Sequence, residues 1–199
     1  MQIISIEPLP ASKKRRRITL DTRESFVLYA GEIRKHPELK EGAFLSDDDY
    51  QEICERILLP RAKKRTLHLL EKQDRTRADV IMKLTQGGYP IEIAEAAADY
   101  AASYGYIDDR RYAANFIYFH QEKKSRRRLK QDLLRKGISA DVIDECLDEA
   151  ELTSEEDKIQ ELLVKKHYDP KTASVKDRAK LVRFLLGRGY DYEQIKTMM

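Results

Sequence analysis

The sequence predicts a mainly α-helical fold of three tandem three-helix repeats, preceded by a small antiparallel β-meander and one further helix. Glycine and proline are scarce, at 8 and 6 of 199 residues, which favours helices over a loop-rich β protein. Charged residues make up 37% of the chain and hydrophobic residues 41%, a balance that favours thin helical layers with much solvated surface. A helix-turn-helix pattern also recurs along the last two-thirds of the chain.

The repeat is anchored on Gly88, Gly137 and Gly189. An apolar residue stands eight positions before each glycine and a leucine four before it, so each pair lies on one face of a helix. Each glycine is expected to end its helix in the left-handed conformation, after which apolar residues one and six positions later pack inward. The pairs are Val80 and Leu84, Leu129 and Leu133, and Leu181 and Leu185; the later residues are Tyr89 and Ala94, Ile138 and Ile143, and Tyr190 and Ile195.

Capping residues and a preceding helix complete each predicted repeat. Thr76, Ser125 and Asp177 stand twelve positions before the glycines and are predicted N-caps. Ser139 and Asp191 are predicted to cap the helices after the second and third glycines, and Pro90 suits the first turn after Gly88. The inward residues of the first helices are predicted to be Leu67 and Leu70, then Phe116 and Phe119, then Ile159, Leu162 and Leu163.

The first sixty residues follow a different pattern. Apolar and polar residues alternate over residues 2–6, 17–20 and 25–29, which predicts an antiparallel meander with its basic edge at residues 13–17. Ser46 and Asp49 predict the start of a helix that ends near Leu58, and Pro60 is predicted to mark the boundary with the repeats. The predicted segments are 1–60, 61–107, 108–150 and 151–199.

The net charge of +3 conceals an uneven distribution of charge. Residues 123–136 contain eight Lys or Arg and one acid, Asp132, whereas residues 138–157 contain nine Asp or Glu and no Lys or Arg. Separate basic and acidic faces could meet nucleic acid on one side and protein on the other. Ordinary solvated helix faces explain each run equally well.

Several classes of site are not predicted. Cys54 and Cys146 are isolated and the four histidines are scattered, so neither a zinc site nor a disulfide framework is expected. The sequence contains no phosphate-loop or nucleophile-elbow motif, and the Asp47–49 and Asp108–109 clusters are interpreted as helix starts. We therefore expect no catalytic residue, metal or cofactor. With a short polar start and no long apolar run, the expected location is the cytoplasm.

Three segments carry a resemblance to a known family. Residues 103–113, SYGYIDDRRYA, resemble the G-[YF]-[IL]-[DN]-D-x-x-[FY]-A signature of the RecX family. Residues 125–138, SRRRLKQDLLRKGI, and residues 75–84, RTRADVIMKL, are similar to two further helical motifs of that family. The meander and its helix resemble the N-terminal extension of RecX from Gram-positive bacteria. Within the signature, Asp108 is interpreted as an N-cap and Gly105 as a helix end, so the signature identifies the family without marking an active site.

The resemblance implies a non-enzymatic protein that binds the RecA filament on single-stranded DNA. It implies that the protein modulates, and usually inhibits, the recombinase and ATPase activities of RecA in DNA repair. It also implies that the repeats form an elongated, crescent-like array in the filament groove. The expected partners are the RecA filament and single-stranded DNA, reached directly or only through RecA, with no membrane involved and a monomeric state.

Basic residues are the candidate contacts, because they can meet phosphate groups or an acidic protein surface. The first set surrounds the second helix of the middle repeat: Arg126, Arg127, Arg128, Lys130, Arg135 and Lys136. The second set comprises Lys63, Lys64, Arg65, Lys13, Lys14, Arg15, Arg16 and Arg17. Tyr104, Tyr106, Tyr112 and Tyr118 could stack on bases, but core packing is the preferred interpretation for most of them. The acidic helix over residues 141–151 is interpreted as balancing its basic neighbour.

Two other functions fit the helical pattern. A DNA-binding helix-turn-helix regulator would place a basic recognition helix after the glycine turn, but those helices carry Glu92, Glu95 and Asp99 or are still more acidic. A helical interaction scaffold unrelated to recombination would show no dependence on DNA or RecA.

Overall fold

A three-stranded antiparallel sheet begins the chain in the computed structural model, which describes residues 1–10 and 12–199, without the side chain of Lys13. The strands are β1 (Ile3–Leu9), β2 (Ser12–Leu20) and β3 (Ser25–Tyr29), in the spatial order β1-β2-β3. The predicted meander is therefore confirmed. Ile3, Ile18 and Phe26 are fully buried and hold one face of the sheet in the core of the N-terminal part.

The basic run lies in the central strand, so the predicted basic edge is wrong. In β2, Arg16 pairs with Pro8 of β1 on one side and with Leu28 of β3 on the other. A meander places its second strand in the middle because both of its connections are short hairpins. The backbone of Arg16 and Arg17 is therefore paired on both sides.

The helix predicted to end near Leu58 continues through Pro60. After a short helix α1 (Ala30–Ile33), helix α2 (Asp47–Ile53) begins at Ser46, whose side chain accepts a hydrogen bond from the Asp49 N–H group. It passes through a π-helical turn, Cys54–Leu58, directly into α3 (Leu59–Leu70). Pro60 has no N–H group and its ring crowds the preceding turn of a regular helix. The widened turn just before it accommodates both effects, so the chain does not break there.

The remaining helices form the three predicted three-helix repeats. Repeat 1 consists of α3, α4 (Arg77–Gln86) and α5 (Ile91–Ser103). Repeat 2 consists of α6 (Asp109–His120), α7 (Arg126–Arg135) and α8 (Ala140–Glu149), and repeat 3 of α9 (Glu155–Lys165), α10 (Val175–Gly187) and α11 (Tyr192–Met198). The chain falls into two compact units: unit 1, Met1–Asp108, and unit 2, Asp109–Met199. The boundaries of the four predicted segments stay predictions.

The apolar pairs before the repeat glycines form the centre of each repeat, as predicted. Val80, Leu84, Leu129, Leu133 and Leu185 are fully buried, and Leu181 is 8% exposed. Ala94, Ile143 and Ile195, six positions after the glycines, are also fully buried. Each fully buried valine, leucine or isoleucine of this set contributes about 1.5–3 kcal/mol of hydrophobic stabilisation.

The inward face of the first helix was predicted correctly only in repeat 3. There Ile159, Leu162 and Leu163 are buried. In repeat 2, Phe119 is 73% exposed, and the buried residues of α6 are Ala113 and Ile117. In repeat 1, Leu67 and Leu70 are half-buried, while Ala62, Thr66 and Leu69 are buried. In α3 and α6 the buried residues lie three or four positions apart and therefore share one face of the helix. The small Ala62 of α3 and Ala113 of α6 allow the neighbouring helices, α5 and α8 respectively, to approach closely.

Most predicted caps are confirmed, and one lies three residues earlier than predicted. The side chains of Thr76 and Ser125 each accept a hydrogen bond from the third residue of their helix. In repeat 3 the cap is Ser174, whose hydroxyl accepts a hydrogen bond from the N–H group of Asp177, the third helical residue, and donates one to its carboxylate. Asp191 caps α11, whereas Ser139 precedes α8 without a capping side-chain hydrogen bond.

Two of the repeat glycines bring backbone into close contact with a neighbouring element. Gly88 has a φ of +90°, its carbonyl accepts a hydrogen bond from the Val27 N–H group at 3.0 Å, and a Cβ added to it would lie 2.9 Å from the Val27 Cβ. Gly189 has a φ of +92°, and an added Cβ would lie 2.5 Å from the Ser125 Oγ and 2.6 Å from the Arg128 Cβ. The first turn therefore attaches repeat 1 to the sheet, and the second attaches repeat 3 to repeat 2.

We predict that Gly88→Ala destabilises unit 1 by roughly 2–4 kcal/mol, because it combines left-handed strain with a collision against Val27. Gly105→Ala is the matched control, because Gly105 also has a positive φ, +71°, but an added Cβ would meet nothing within 4 Å. The control should lose only about 1–2 kcal/mol. Urea unfolding, monitored by circular dichroism, gives the free energy of unfolding of both variants. Equal losses of stability would contradict the close contact between Gly88 and Val27.

Tyr190 supplies a second stability prediction, because its ring is fully buried and its hydroxyl has no hydrogen-bond partner among the described residues. Burial raises the pKa of Tyr190 to about 12. Tyr190→Phe should increase the free energy of unfolding by about 1 kcal/mol at neutral pH, because an unpaired buried hydroxyl is removed.

Alkaline pH tests the same group. The pKa of the Tyr190 hydroxyl is raised from about 10 in the unfolded chain to about 12 in the folded chain. The stability that depends on this group is therefore fully present below about pH 10 and is lost as the pH rises towards 12. Tyr190→Phe should remove that part of the alkaline loss. Tyr192→Phe, at a residue that is 52% exposed, is the control. A destabilised Tyr190→Phe variant would show that the hydroxyl is satisfied.

Candidate nucleoprotein interface

Helix α7 presents the basic residues of the middle repeat on its outer side. Its N-terminus is capped by Ser125, and Leu129 and Leu133 are fully buried, which fixes the inward face. Of the six predicted contact residues in and beside this helix, Arg127 and Arg135 are exposed on the opposite side. The predicted orientation of the helix is thus confirmed.

Carboxylates of α8 neutralise much of this basic surface. Lys130 Nζ lies 2.6 Å and 2.7 Å from the two carboxylate oxygens of Asp144. The Arg126 guanidinium forms an ion pair with Asp148 and donates a hydrogen bond to the Leu147 carbonyl at 2.9 Å. The acidic helix therefore pairs with two cations of its basic neighbour, in line with the interpretation that it balances that helix.

Asp132 is the centre of a second charge network within the basic run. Its carboxylate lies 2.9 Å from Lys124 Nζ, 3.2 Å from Arg128 Nε and 3.3 Å from an Arg135 guanidinium nitrogen. Burial alone would raise the pKa of Asp132, but the hydrogen bond from Lys124 and the charges of all three cations outweigh it and hold the pKa below its ordinary value. One acid therefore orders three of the basic side chains.

Arg127 differs from the other cations of α7. It is exposed and forms no ion pair with any residue that the structure describes. Lys136, just after the helix, lies 5.4 Å from the Tyr112 ring centre and 5.6 Å from that of Phe116. Of the six candidates, Arg127 is the one whose guanidinium fork is most accessible to an external anion.

Three of the four singled-out tyrosines are on the surface, so core packing is wrong for most of them. Tyr104, Tyr106 and Tyr118 are 65%, 56% and 69% exposed, and only Tyr112 is half-buried. The ring centres of Tyr104 and Tyr106 are 6.5 Å apart in a stacked arrangement. Tyr104 and Tyr106 follow α5, where Ala101 and Ile107 are the buried residues, whereas Tyr118 lies in α6, where Ala113 and Ile117 are buried.

The second set of candidates lies in unit 1, and the structure brings two of its members together. Arg15 and Arg65 line one cleft, together with Arg61 and Lys83, which the sequence analysis missed. No local pattern connects residues 15, 61, 65 and 83, so only the fold could reveal this group. Lys63 is elsewhere, with its Nζ 4.4 Å from the Tyr100 ring centre.

The other members of this set do not line the cleft. Lys14, Arg17 and Lys64 are exposed. The Arg16 guanidinium donates a hydrogen bond to the Arg15 carbonyl at 3.4 Å. The predicted contact through Lys13 lies outside the described side chains.

Metal-ligating side chains are not clustered in the described part of the chain. Within residues 1–10 and 12–199, no group of three His, Cys, Asp or Glu could hold a metal ion. Cys54 and Cys146 are buried, unbridged thiols, and burial raises the pKa of Cys54. Asp47, Asp48 and Asp49 lie in the first turn of α2, which confirms their interpretation as a helix start. No helix in the same residues has the length and apolar character needed to cross a membrane.

We predict that Asp132→Asn weakens the acid dependence of stability. Because the folded-state pKa of Asp132 is lowered, its contribution is complete above its unfolded pKa of about 4 and is lost as pH falls through the folded value. The wild-type chain should therefore lose more stability than Asp132→Asn below about pH 4.

Urea unfolding at a series of pH values measures this difference. Asp141→Asn is the control, since that exposed carboxylate of α8 forms no ion pair with the described cations. If the free energy of unfolding varied with pH in the same way for the wild type and Asp132→Asn, that result would contradict the charge network around Asp132.

Comparison with known proteins shows the same three-repeat division. Models of the first, second and third three-helix domains of RecX match residues 62–100, 108–147 and 154–199. Regulatory protein RecX of Clostridium acetobutylicum is 30% identical over 99% of this chain and 94% of that protein. Regulatory protein RecX of Streptococcus gordonii is 32% identical over 99% of this chain and 75% of that protein.

Solved structures support the fold. A crystal structure of regulatory protein RecX aligns with a TM-score of 0.61 at 24% identity, covering 99% of this chain and 98% of the other. RecX from Lactobacillus salivarius aligns with a TM-score of 0.55 at 21% identity, covering 71% and 94%. With the matched domains in the same order and relatives aligned along nearly the whole chain, this protein belongs to the RecX family.

Proposed function

We propose that this chain regulates RecA by binding its filament on single-stranded DNA and lowering its ATPase and recombinase activities. The observation that carries the proposal is the match of all three RecX three-helix domains along one chain. An effect on RecA activity needs no chemistry from the regulator. It requires only that the chain binds one state of the filament more tightly than another.

The accessible part of α7 is the surface that we assign to this contact. Arg127 points away from Leu129 and Leu133 and retains its full charge, while Arg126 and Lys130 are held by carboxylates of α8. An exposed guanidinium beside an ordered cation network can bind a phosphate or a carboxylate in two-point fashion. We therefore rank Arg127 first, followed by Arg135, whose side chain is 63% exposed.

The proposed mode is non-catalytic and monomeric, in the cytoplasm, where RecA-coated DNA would be found. The relatives are named regulatory proteins, which supports regulation by surface contact.

Direct reading of duplex DNA by a helix-turn-helix is the competing function. The helices after the glycine turns of repeats 1 and 2 are α5 and α8. Glu92, Glu95 and Asp99 are exposed on α5, and α8 carries the carboxylates that pair with α7. Acidic helices are repelled by DNA phosphates, which disfavours this function.

The test measures ATP hydrolysis by RecA on single-stranded DNA while this chain is titrated in at constant salt. We expect a fall in turnover at less than one chain per RecA. Arg127→Glu should raise the concentration needed for half of the effect roughly tenfold, which corresponds to about 1.4 kcal/mol of lost interaction.

Lys176→Glu is the matched control, because it reverses one exposed charge on α10, away from α7. It should leave the titration nearly unchanged. Unaltered ATP turnover at excess wild-type chain would refute the proposed function. Equal effects of Arg127→Glu and Lys176→Glu would refute the assignment to α7.

A further inference from the structure

Unit 1 contains a cleft lined by four cations that come from distant parts of the sequence. Its volume is about 300 Å³, and it lies where β2 and β3 meet α3 and α4. Arg15 comes from β2, Arg61 and Arg65 from α3, and Lys83 from α4. Tyr29 and Tyr89 supply aromatic walls.

Two of the arginines are fixed by contacts with the surrounding backbone and rings. Arg15 donates a hydrogen bond to the Gly87 carbonyl at 2.6 Å. The Arg61 guanidinium bonds to both carboxylate oxygens of Glu32, at 2.8 Å and 3.1 Å, and to a backbone carbonyl of β3. It also lies 5.2 Å from the Tyr29 ring centre and 5.5 Å from that of Tyr89. These contacts position positive charge at the cleft before any ligand arrives.

The other two cations are not neutralised in the same way. Arg65 is exposed and forms no ion pair with the described residues. Lys83 Nζ is 4.0 Å from Asp79, and that carboxylate is bonded more closely, at 2.5 Å, to Arg75. None of the residues that line the cleft is acidic. Glu32 neutralises Arg61, so the positive charge that remains in this concave site comes from Arg15, Arg65 and the loosely paired Lys83. These like charges repel each other, and a bound anion would relieve the repulsion.

We infer that this cleft binds a phosphate group, supplied by a nucleic-acid backbone or by a free nucleotide. Guanidinium forks match phosphate oxygens in two-point geometry, and a lysine ammonium adds a point charge. A single carboxylate would not balance Arg15, Arg65 and the loosely paired Lys83 together, which favours phosphate over an acidic side chain. The inference does not depend on RecA binding, because the cleft and helix α7 belong to different units.

The test uses the full chain without RecA. The variant that tests the site is Arg65→Gln with Lys83→Gln, which removes the two cations with the fewest internal contacts and leaves Arg15 and Arg61 in place. The matched control is Lys40→Gln with Lys72→Gln, which removes the same charge from two exposed lysines outside the cleft. Fluorescence anisotropy follows binding to a labelled oligothymidylate of about 16 nucleotides at about 50 mM salt.

We expect the cleft variant to lose roughly tenfold in affinity and to reduce the salt slope by about 1–2, while the control changes affinity less than about twofold. Competition with ATP and inorganic phosphate then identifies the source of the phosphate. Displacement by ATP indicates a nucleotide site, and resistance to ATP indicates a nucleic-acid backbone.

Three outcomes would overturn the inference. The first is equal loss in the cleft and control variants. The second is a wild-type chain that binds none of the oligothymidylate, ATP and phosphate. The third is tighter binding of polyglutamate through Arg65 and Lys83, which would make the cleft a site for acidic protein segments.

Discussion

The close contact at the glycine turns is the constraint on which the rest of the structure depends. A repeat that buries only a short row of apolar side chains must share surface with a neighbour, and a side chain at the turn would prevent that approach. At Gly88 the shared contact is a backbone hydrogen bond to Val27 in the sheet. At Gly189 the turn packs on the start of α7, where the Ser125 N–H group donates to the Arg188 carbonyl at 3.2 Å. The same turn in repeat 1 supplies the Gly87 carbonyl that positions Arg15, so the contact that assembles unit 1 also shapes its cationic cleft.

Charge is arranged by pairing more than by composition. In the most basic stretch of the sequence, two cations of α7 are paired with carboxylates of α8, and three basic side chains surround Asp132. In the cleft of unit 1, cations from distant parts of the sequence converge, and none of the residues that line the cleft is acidic. Arg127 and the cleft are therefore two places where positive charge remains available, and a count of Lys and Arg along the sequence would not reveal either.

The features that the sequence predicted are those set by neighbouring residues. The apolar pair before a glycine, such as Val80 and Leu84, depends on helix periodicity and on a turn that only glycine makes without strain, and both are local. The exposure of Phe119 depends instead on which face of α6 packs against its neighbouring helix. The face that packs carries the small, buried Ala113 and not Phe119. The continuous helix through Pro60 depends on a π turn without a clear sequence signal. Within the candidate sites, the basic character of α7 was predictable, whereas the convergence of Arg61 and Lys83 on the cleft required the fold.

The most direct test of the central claim is the affinity of the labelled full chain for RecA filaments on single-stranded DNA, compared with the same DNA alone and with RecA alone. Sedimentation of filaments, or anisotropy at constant salt, gives these three affinities. The account predicts that the filament binds at least about tenfold more tightly than either component, because recognition is of the assembled state. Equal binding to bare DNA and to filaments, or no binding to filaments, would contradict regulation through the RecA filament.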